Sequence, residues 1–316
     1  MCDTAVTLEN SMNATAPDRP RGARILTGAC ALLLVLGLTA CSTAEGRPTT
    51  FVVRPADQTA QPVPPRAPSE AAGQDRYPWH TGIASTTFWV GELYDATLAD
   101  GSQVCSTYDG NWAFHWSGVN MGKVPASAAG CAGSIWGGCD GNWNATYTQC
   151  STEPRTAAND YFPTNGFVPK ENPFYLDLPY DDLNDPIGFR DRCTVIPWAN
   201  DPGYAGRCND TSFSYMKNRW VELVGPSGKS CYGQVQDAGP SSGSNYHDAA
   251  YVFGSNDKRP AQTQWNNAGM DVSPALNGCL GFKELDGSSD KVNWRFVDSP
   301  PAGPWTRVVT TSGVSW

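Results

Sequence analysis

The chain has 316 residues, a formal net charge of −9 and only 17% charged residues. That length holds one large domain or two small ones. The negative balance, with no Lys/Arg-rich block, argues against nucleic acid as a partner. The 32 glycines and 25 prolines, with 12 Trp and 12 Tyr, describe a loop-rich, mostly β chain rather than a helical one.

The first residues read as targeting. Arg19–Arg24 form a basic segment, and Ile25–Ala40 an apolar run of the length of a signal core, short for a membrane span. It ends in Leu-Thr-Ala before Cys41, which resembles the lipobox of bacterial lipoproteins. That resemblance implies cleavage before Cys41 and a lipid on its sulfur. Residues 1–40 are therefore expected to be a signal peptide with a lipobox. Residues 41–78, rich in Pro, Ala and Gln, are expected to be the lipidated Cys and a disordered tether. Residues 79–316 remain as the folded domain, exported and anchored at the outer face of a bacterial membrane.

Cysteine usage agrees with export. Of 11 Cys, Cys2 and Cys30 fall in the removed segment and Cys41 carries the anchor. The eight left (Cys105, Cys131, Cys139, Cys150, Cys193, Cys208, Cys231 and Cys279) read as up to four disulfides. Sequence alone does not fix their pairing; Cys193–Cys208 and Cys231–Cys279 are the expected bridges. No C-x-x-C pair occurs, and His80, His115 and His247 are scattered, so neither a metal nor a cofactor is expected. The Asp140–Asn144 stretch spaces oxygen ligands as a calcium loop does, but lacks the glycine and the distal Glu of one.

Within the domain, residues 82–93 give a first strand rich in β-branched and aromatic side chains. Residues 94–161 are dense in Gly, Asn and Cys and read as loops stapled by disulfides. Residues 172–185 give a short strand and a polar turn, unusually acidic and aromatic, serving as a groove wall or a structural flap. Residues 191–200 hold another short strand. "WVELV" and "CYGQVQD", joined by "GPSGKS", form a hairpin. After Asp271, Ser273 is a good N-cap and Pro274 suits the first position of a short helix. Residues 290–298 alternate as a final strand, and 303–313 offer a further one.

The order of these parts resembles the double-psi β-barrel of rare lipoprotein A-like proteins, expansins and family-45 endoglucanases. The likeness rests on two blocks, Arg219–Asp237 ending "QVQDAGP" and Gly269–Phe282, "GMDVSPALNGCLGF". It implies a mainly β fold: a six-stranded double-psi barrel with long disulfide-stapled insertions and one or two short helices. The chain departs from the pattern in a loop of roughly 30 residues between the two blocks and in the unmatched region 94–215.

The resemblance also implies a site. Asp271 matches a general acid, and Asp237 an auxiliary acid whose strand end is expected beside it at one groove. Two carboxylates that share a site push one pKa upward, as proton donation to a glycosidic oxygen requires. Glu92 and Asp95, after the first strand, are candidates for a base. Trp89, Trp112, Trp116, Trp143 and Trp265 are candidate stacking platforms for sugar rings. Trp112, Trp116 and Trp143, set among Gly, Asn and Asp, are the ones expected at the surface. His247 is expected to line the groove. The implied function is acid-catalysed cleavage of cell-wall or other polysaccharide, of glycosidase or lytic transglycosylase type. The alternative is a non-catalytic, expansin-like module that grips a polysaccharide or peptidoglycan strand. Either way the partners are a glycan and, through Cys41, a membrane.

Overall fold

Alternation of apolar and polar side chains along short β-branched runs is the signal from which this chain builds its sheet. The computed structural model describes residues 76–93, 103–122, 131, 134–144, 149–241 and 245–316. Cys41, the signal segment, the tether up to Asp75 and Asp95 lie outside the described residues. Six strands close into a barrel: β1 (His80–Thr87), β4 (Tyr175–Leu178), β5 (Trp220–Val224), β6 (Ser230–Ala238), β7 (Met270–Val272) and β8 (Lys291–Val297). Around the barrel they run β1-β7-β4-β6-β5-β8, with β8 returning to β1. The β1/β7 and β4/β6 pairs are parallel and the others antiparallel. A separate two-stranded ribbon pairs β2 (Asn142–Trp143) with β3 (Cys150–Ser151). The fold is mainly β, with a closed, mixed six-stranded barrel.

Closure leaves the barrel no free sheet edge and gives it a core. Ile83, Leu176, Leu178, Val221, Leu223, Val235, Met270, Val272, Val292 and Trp294 fill it. Tyr77, ahead of β1, is already part of this core, and Arg76 pairs with Asp201. A second apolar cluster gathers Phe88, Val90, Trp112, Trp116 and Trp136 around Tyr175 of β4.

The expected hairpin is β5/β6, in register from Trp220 opposite Gln234 to Val224 opposite Ser230. The expected helix is α4 (Pro274–Leu280): Ser273 Oγ accepts the Leu276 N–H at 3.2 Å, and Gly281 closes the helix with φ 72°. Two expectations fail. Residues 191–200 are not a strand, because α2 (Pro186–Val195) takes the first half of the stretch and turns the second. The start signal lies just upstream: Asp185 Oδ1 accepts the N–H groups of Ile187 and Gly188, and Pro186 sits in the first turn. Residues 303–313 add no strand either. After a single 3₁₀ turn at Pro304–Thr306 the chain runs irregularly, its backbone tied by side chains such as Gln234 to Thr310 and Lys217 to Gly313.

Four disulfides join Cys105–Cys131, Cys139–Cys150, Cys193–Cys208 and Cys231–Cys279, the last two as expected. They imply folding in an oxidising, extracytoplasmic compartment. Among the described residues no helix is long and apolar enough to cross a membrane. Among the described residues there are two more short α-helices, α1 (Trp112–Ser117) and α3 (Ala249–Val252).

Candidate active site

β4 organises the site, and its sequence explains how. In Tyr-Leu-Asp-Leu, Leu176 and Leu178 enter the barrel core, so the strand's period of two sends Tyr175 and Asp177 to the other face. β7 repeats the arrangement. Met270 and Val272 are fully buried in the core, and Asp271 between them is half-buried on the opposite face. The antiparallel register sets Asp177 directly across from Asp271. On the other flank of β4 the register slips between Leu176 and Asp177, so that Asp237 of β6 stands level with Asp177. The slip is a β-bulge, a device that re-aims a side chain. Without it Gln236 would face Asp177.

Three carboxylates therefore stand abreast on three neighbouring strands, Asp271–Asp177–Asp237. Thr86 of β1 extends the row, since it pairs with Asp271 across the parallel β1/β7 ladder. Neighbouring strands lie about 4.8 Å apart, which puts the backbones at Asp271 and Asp237 roughly 9.5 Å from each other, with Asp177 between. This corrects the expectation that the ends of β6 and β7 are direct neighbours. β4 separates them and contributes an acid of its own.

The row is electrostatically frustrated. Among the described residues no Lys, Arg or His pairs with any of the three acids. Asp237 is 6% exposed; its Oδ1 accepts the backbone N–H of Thr107 at 2.7 Å and of Ala238 at 2.8 Å. Burial outweighs these donors and raises its pKa to about 6. Asp177, 4% exposed, accepts the Asp271 N–H on Oδ1 at 2.8 Å. Burial first, then the charges of Asp271 and Asp237, holds it well above the usual carboxylate range. Asp271 is pushed up to about 7 by burial and by Asp237. Its Oδ1 is buried and, like Thr86 Oγ1, accepts no hydrogen bond from a described residue. A carboxyl whose pKa is raised toward neutrality is of the kind that general-acid chemistry uses.

Gly239 fits the row tightly. A Cβ there would come within 2.6 Å of Asp177 Oδ2, so the glycine after β6 is what lets the middle acid lie flat against the strand end. Asp271 lies two residues ahead of the Ser273 cap, outside the first turn of α4, where helix-terminal stabilisation of a carboxylate has largely decayed.

The other expected site residues are placed differently. Glu92 lies beyond the end of β1 and off the row; its Oε2 accepts the Trp89 N–H at 3.3 Å. Trp89 is buried, its Nε1 donating to Cys150 O at 2.8 Å. Trp112 and Trp116 are 1% and 0% exposed, which corrects the expectation that they stand at the surface. The Gly/Asn/Cys-rich region folds its indoles into the second apolar cluster instead of presenting them. Trp143 is half-buried against Trp136, with ring centroids 5.3 Å apart. Trp265 is 61% exposed, on a turn whose residues Trp265, Asn266 and Asn267 all have φ between 49° and 57°. Such left-handed runs of non-glycine residues are strained and occur where position matters. His247 bonds Asp185 Oδ2 through Nδ1 at 3.0 Å and bridges Tyr180, just beyond β4.

Asp140 is no calcium ligand: Arg155 Nη2 and Tyr175 Oη donate to its two oxygens at 2.6 and 2.8 Å. Among the described residues no group of three or more His, Cys, Asp or Glu is arranged to hold a metal ion.

Asp177 and Thr86 were missed in the sequence. The signal for Asp177 was present, since Leu-Asp-Leu repeats the Met-Asp-Val pattern of an acid between two core residues on a strand. Compared with known proteins, the chain matches no family model, no curated protein and no solved structure.

Proposed function

We propose that this is an envelope-tethered, glycan-active protein whose barrel is of the double-psi type and whose Asp271 donates a proton to a glycosidic oxygen. One observation carries the reading: Asp271 heads a row of three uncompensated carboxylates, with its own pKa raised to about 7 and one buried oxygen unengaged. Burial and Asp237 keep that proton in place, because ionising Asp271 would add negative charge to a poorly solvated strip.

Exposure favours a single-acid chemistry. Asp271 is half-buried, whereas Asp177 and Asp237 are almost wholly enclosed and poorly placed to activate a water. Asp271 protonates the leaving oxygen and the C–O bond breaks. A hydroxyl of the same sugar attacks the anomeric carbon and returns its proton to the Asp271 carboxylate. That is the lytic transglycosylase type, in which no water-activating base is needed. Exposed Trp265 offers a face for a sugar ring. Export is supported by the four disulfides, and the lipid anchor by the Leu-Thr-Ala-Cys41 sequence.

The same enclosure of Asp177 and Asp237 supports a second reading, a binding module that holds a glycan strand without cutting it. Incubating the full chain with peptidoglycan, stripped glycan strands, cellulose and xylan separates the two. Release of anhydro-ended fragments that falls about 10²–10⁴-fold in Asp271→Asn, with pull-down retained, is the expected outcome. Pull-down with no product from wild type would leave the binding module.

A further inference from the structure

The acid row takes part of its support from outside the barrel. Ser106 and Asp109 close a two-residue turn, the Ser106 N–H donating to Asp109 O at 2.8 Å. Thr107, the first corner residue of that turn, has a backbone N–H with no acceptor inside it. This N–H donates instead to Asp237 Oδ1 at 2.7 Å. Three separate contacts fix the corner. Asn184, between β4 and α2, donates its Nδ2 to Thr107 O at 2.8 Å. Ser315 donates its N–H to Tyr108 O at 3.1 Å and accepts the Gly110 N–H at 2.8 Å. Cys105, two residues ahead of Thr107, is bridged to Cys131. Thr107 and Asn184 both belong to region 94–215, for which the barrel resemblance has no counterpart.

The contact matters because of what Asp237 does to Asp271. The titratable groups that face Asp237 are Asp177 on β4, Asp181 just beyond it, Tyr108 on the turn and Asp271 on β7. None of these is a cation. Burial raises the pKa of Asp237; the Thr107 N–H is the strongest of the groups that oppose burial, ahead of the Ala238 N–H and the Thr107 hydroxyl. Asp237 therefore ionises at about 6, below Asp271 at about 7. After burial, the charge on Asp237 is what keeps Asp271 protonated to that higher pH.

We propose that Thr107 is a positioning residue for the acid: its backbone N–H keeps Asp237 ionised, and the Asp237 charge in turn keeps the proton on Asp271. Calling Asp271 an acid rests on the glycan reading given above; the relay itself does not. Loss of the contact has a signature that loosening of the fold does not copy. Without its donor, Asp237 holds its proton to higher pH. With that charge gone, Asp271 gives up its own proton at lower pH. Opening the site to water lowers both, because burial is the first cause that raises each of them.

The carboxyl carbons of Asp237 and Asp271 are followed by NMR in the full chain across the range in which both titrate. Thr107→Pro removes the N–H and is expected to move Asp237 up and Asp271 down, each by about one pH unit. Asn184→Ala keeps that N–H but frees the Thr107 carbonyl. Asn184 is exposed, so this variant keeps its fold even where the proline disturbs the turn. It is expected to give the same opposed shifts, smaller in size. In glycan cleavage the alkaline limb of the pH profile is expected to move down with Asp271. The proposal is overturned if, in the folded variants, the two carboxyls move down together or titrate as in wild type. Opposed shifts in a chain that releases no product from any glycan uphold the relay and remove the acid's role. Cleavage that depends on Asp271, with titrations unmoved by either variant, does the reverse.

Discussion

Two acids served by one face of β4 are raised alike by burial but matched in opposite ways. Tyr175 donates its hydroxyl to Asp140, which Arg155 also engages, so that every oxygen of that buried carboxylate has a partner. Two residues along, Asp177 lies between Asp271 and Asp237 with no cation among the described residues, and backbone N–H groups ease the row. Both regions are buried, acidic and built on the same strand. The first is a structural knot, in which a buried charge is matched by a buried charge and a hydroxyl. The second holds the pKa values of its acids above the usual range, because no cation among the described residues matches them. Burial alone does not separate a structural acid from a chemical one; the partner list does.

The comparison breaks most visibly at the knot. Asp140→Ala strands the Arg155 guanidinium in the interior, and the expected loss is about 3–5 kcal/mol of stability, read as a large fall in Tm by calorimetry. Asp271→Asn, by contrast, removes like-charge crowding and is expected to leave Tm at neutral pH unchanged or higher. Should it cost as much as Asp140→Ala, the row is structural too.

A smaller effect is expected at Gly239. An added methyl group 2.6 Å from Asp177 Oδ2 must displace the middle carboxylate. Gly239→Ala is expected to lose about 1–3 kcal/mol in urea unfolding, as overpacked sites do. In the assay for glycan cleavage it should also act without any change at Asp271 itself.

A last effect is a slope against pH. Asp237 and Asp271 release their protons near 3.8 when unfolded, but at about 6 and about 7 in the folded chain. Between those limits the folded state holds more protons than the unfolded one, so stability falls as pH rises. Their stabilising contribution is complete below 3.8 and is lost as pH climbs through about 6 and then about 7. A series of Tm measurements from pH 4 to 8 is expected to slope downward more steeply for wild type than for Asp271→Asn. Parallel curves would mean that Asp271 ionises like an exposed acid.

Local chemistry made part of this legible. The β5/β6 hairpin, the Ser273–Pro274 start of α4, the Cys193–Cys208 and Cys231–Cys279 bridges, and Asp237 and Asp271 as outlying acids were all readable from short segments. Helix α2 was readable in principle from Asp185-Pro186, but the apolar residues near its C-terminal end suggested a strand. Trp112 and Trp116 were misplaced for a different reason: polar sequence neighbours say nothing about a second core assembled from distant segments.

The sequence by itself determined the compartment, the mainly β character and the identity of two of the acids, because cysteine count, a period of two and cap residues act over a few neighbouring positions. Only the tertiary structure decided that β4 runs between β6 and β7. That placement, with its one-residue bulge, turns two separate carboxylates into a row of three and sets their protonation, since charge repulsion depends on which strands lie side by side and not on their order along the chain.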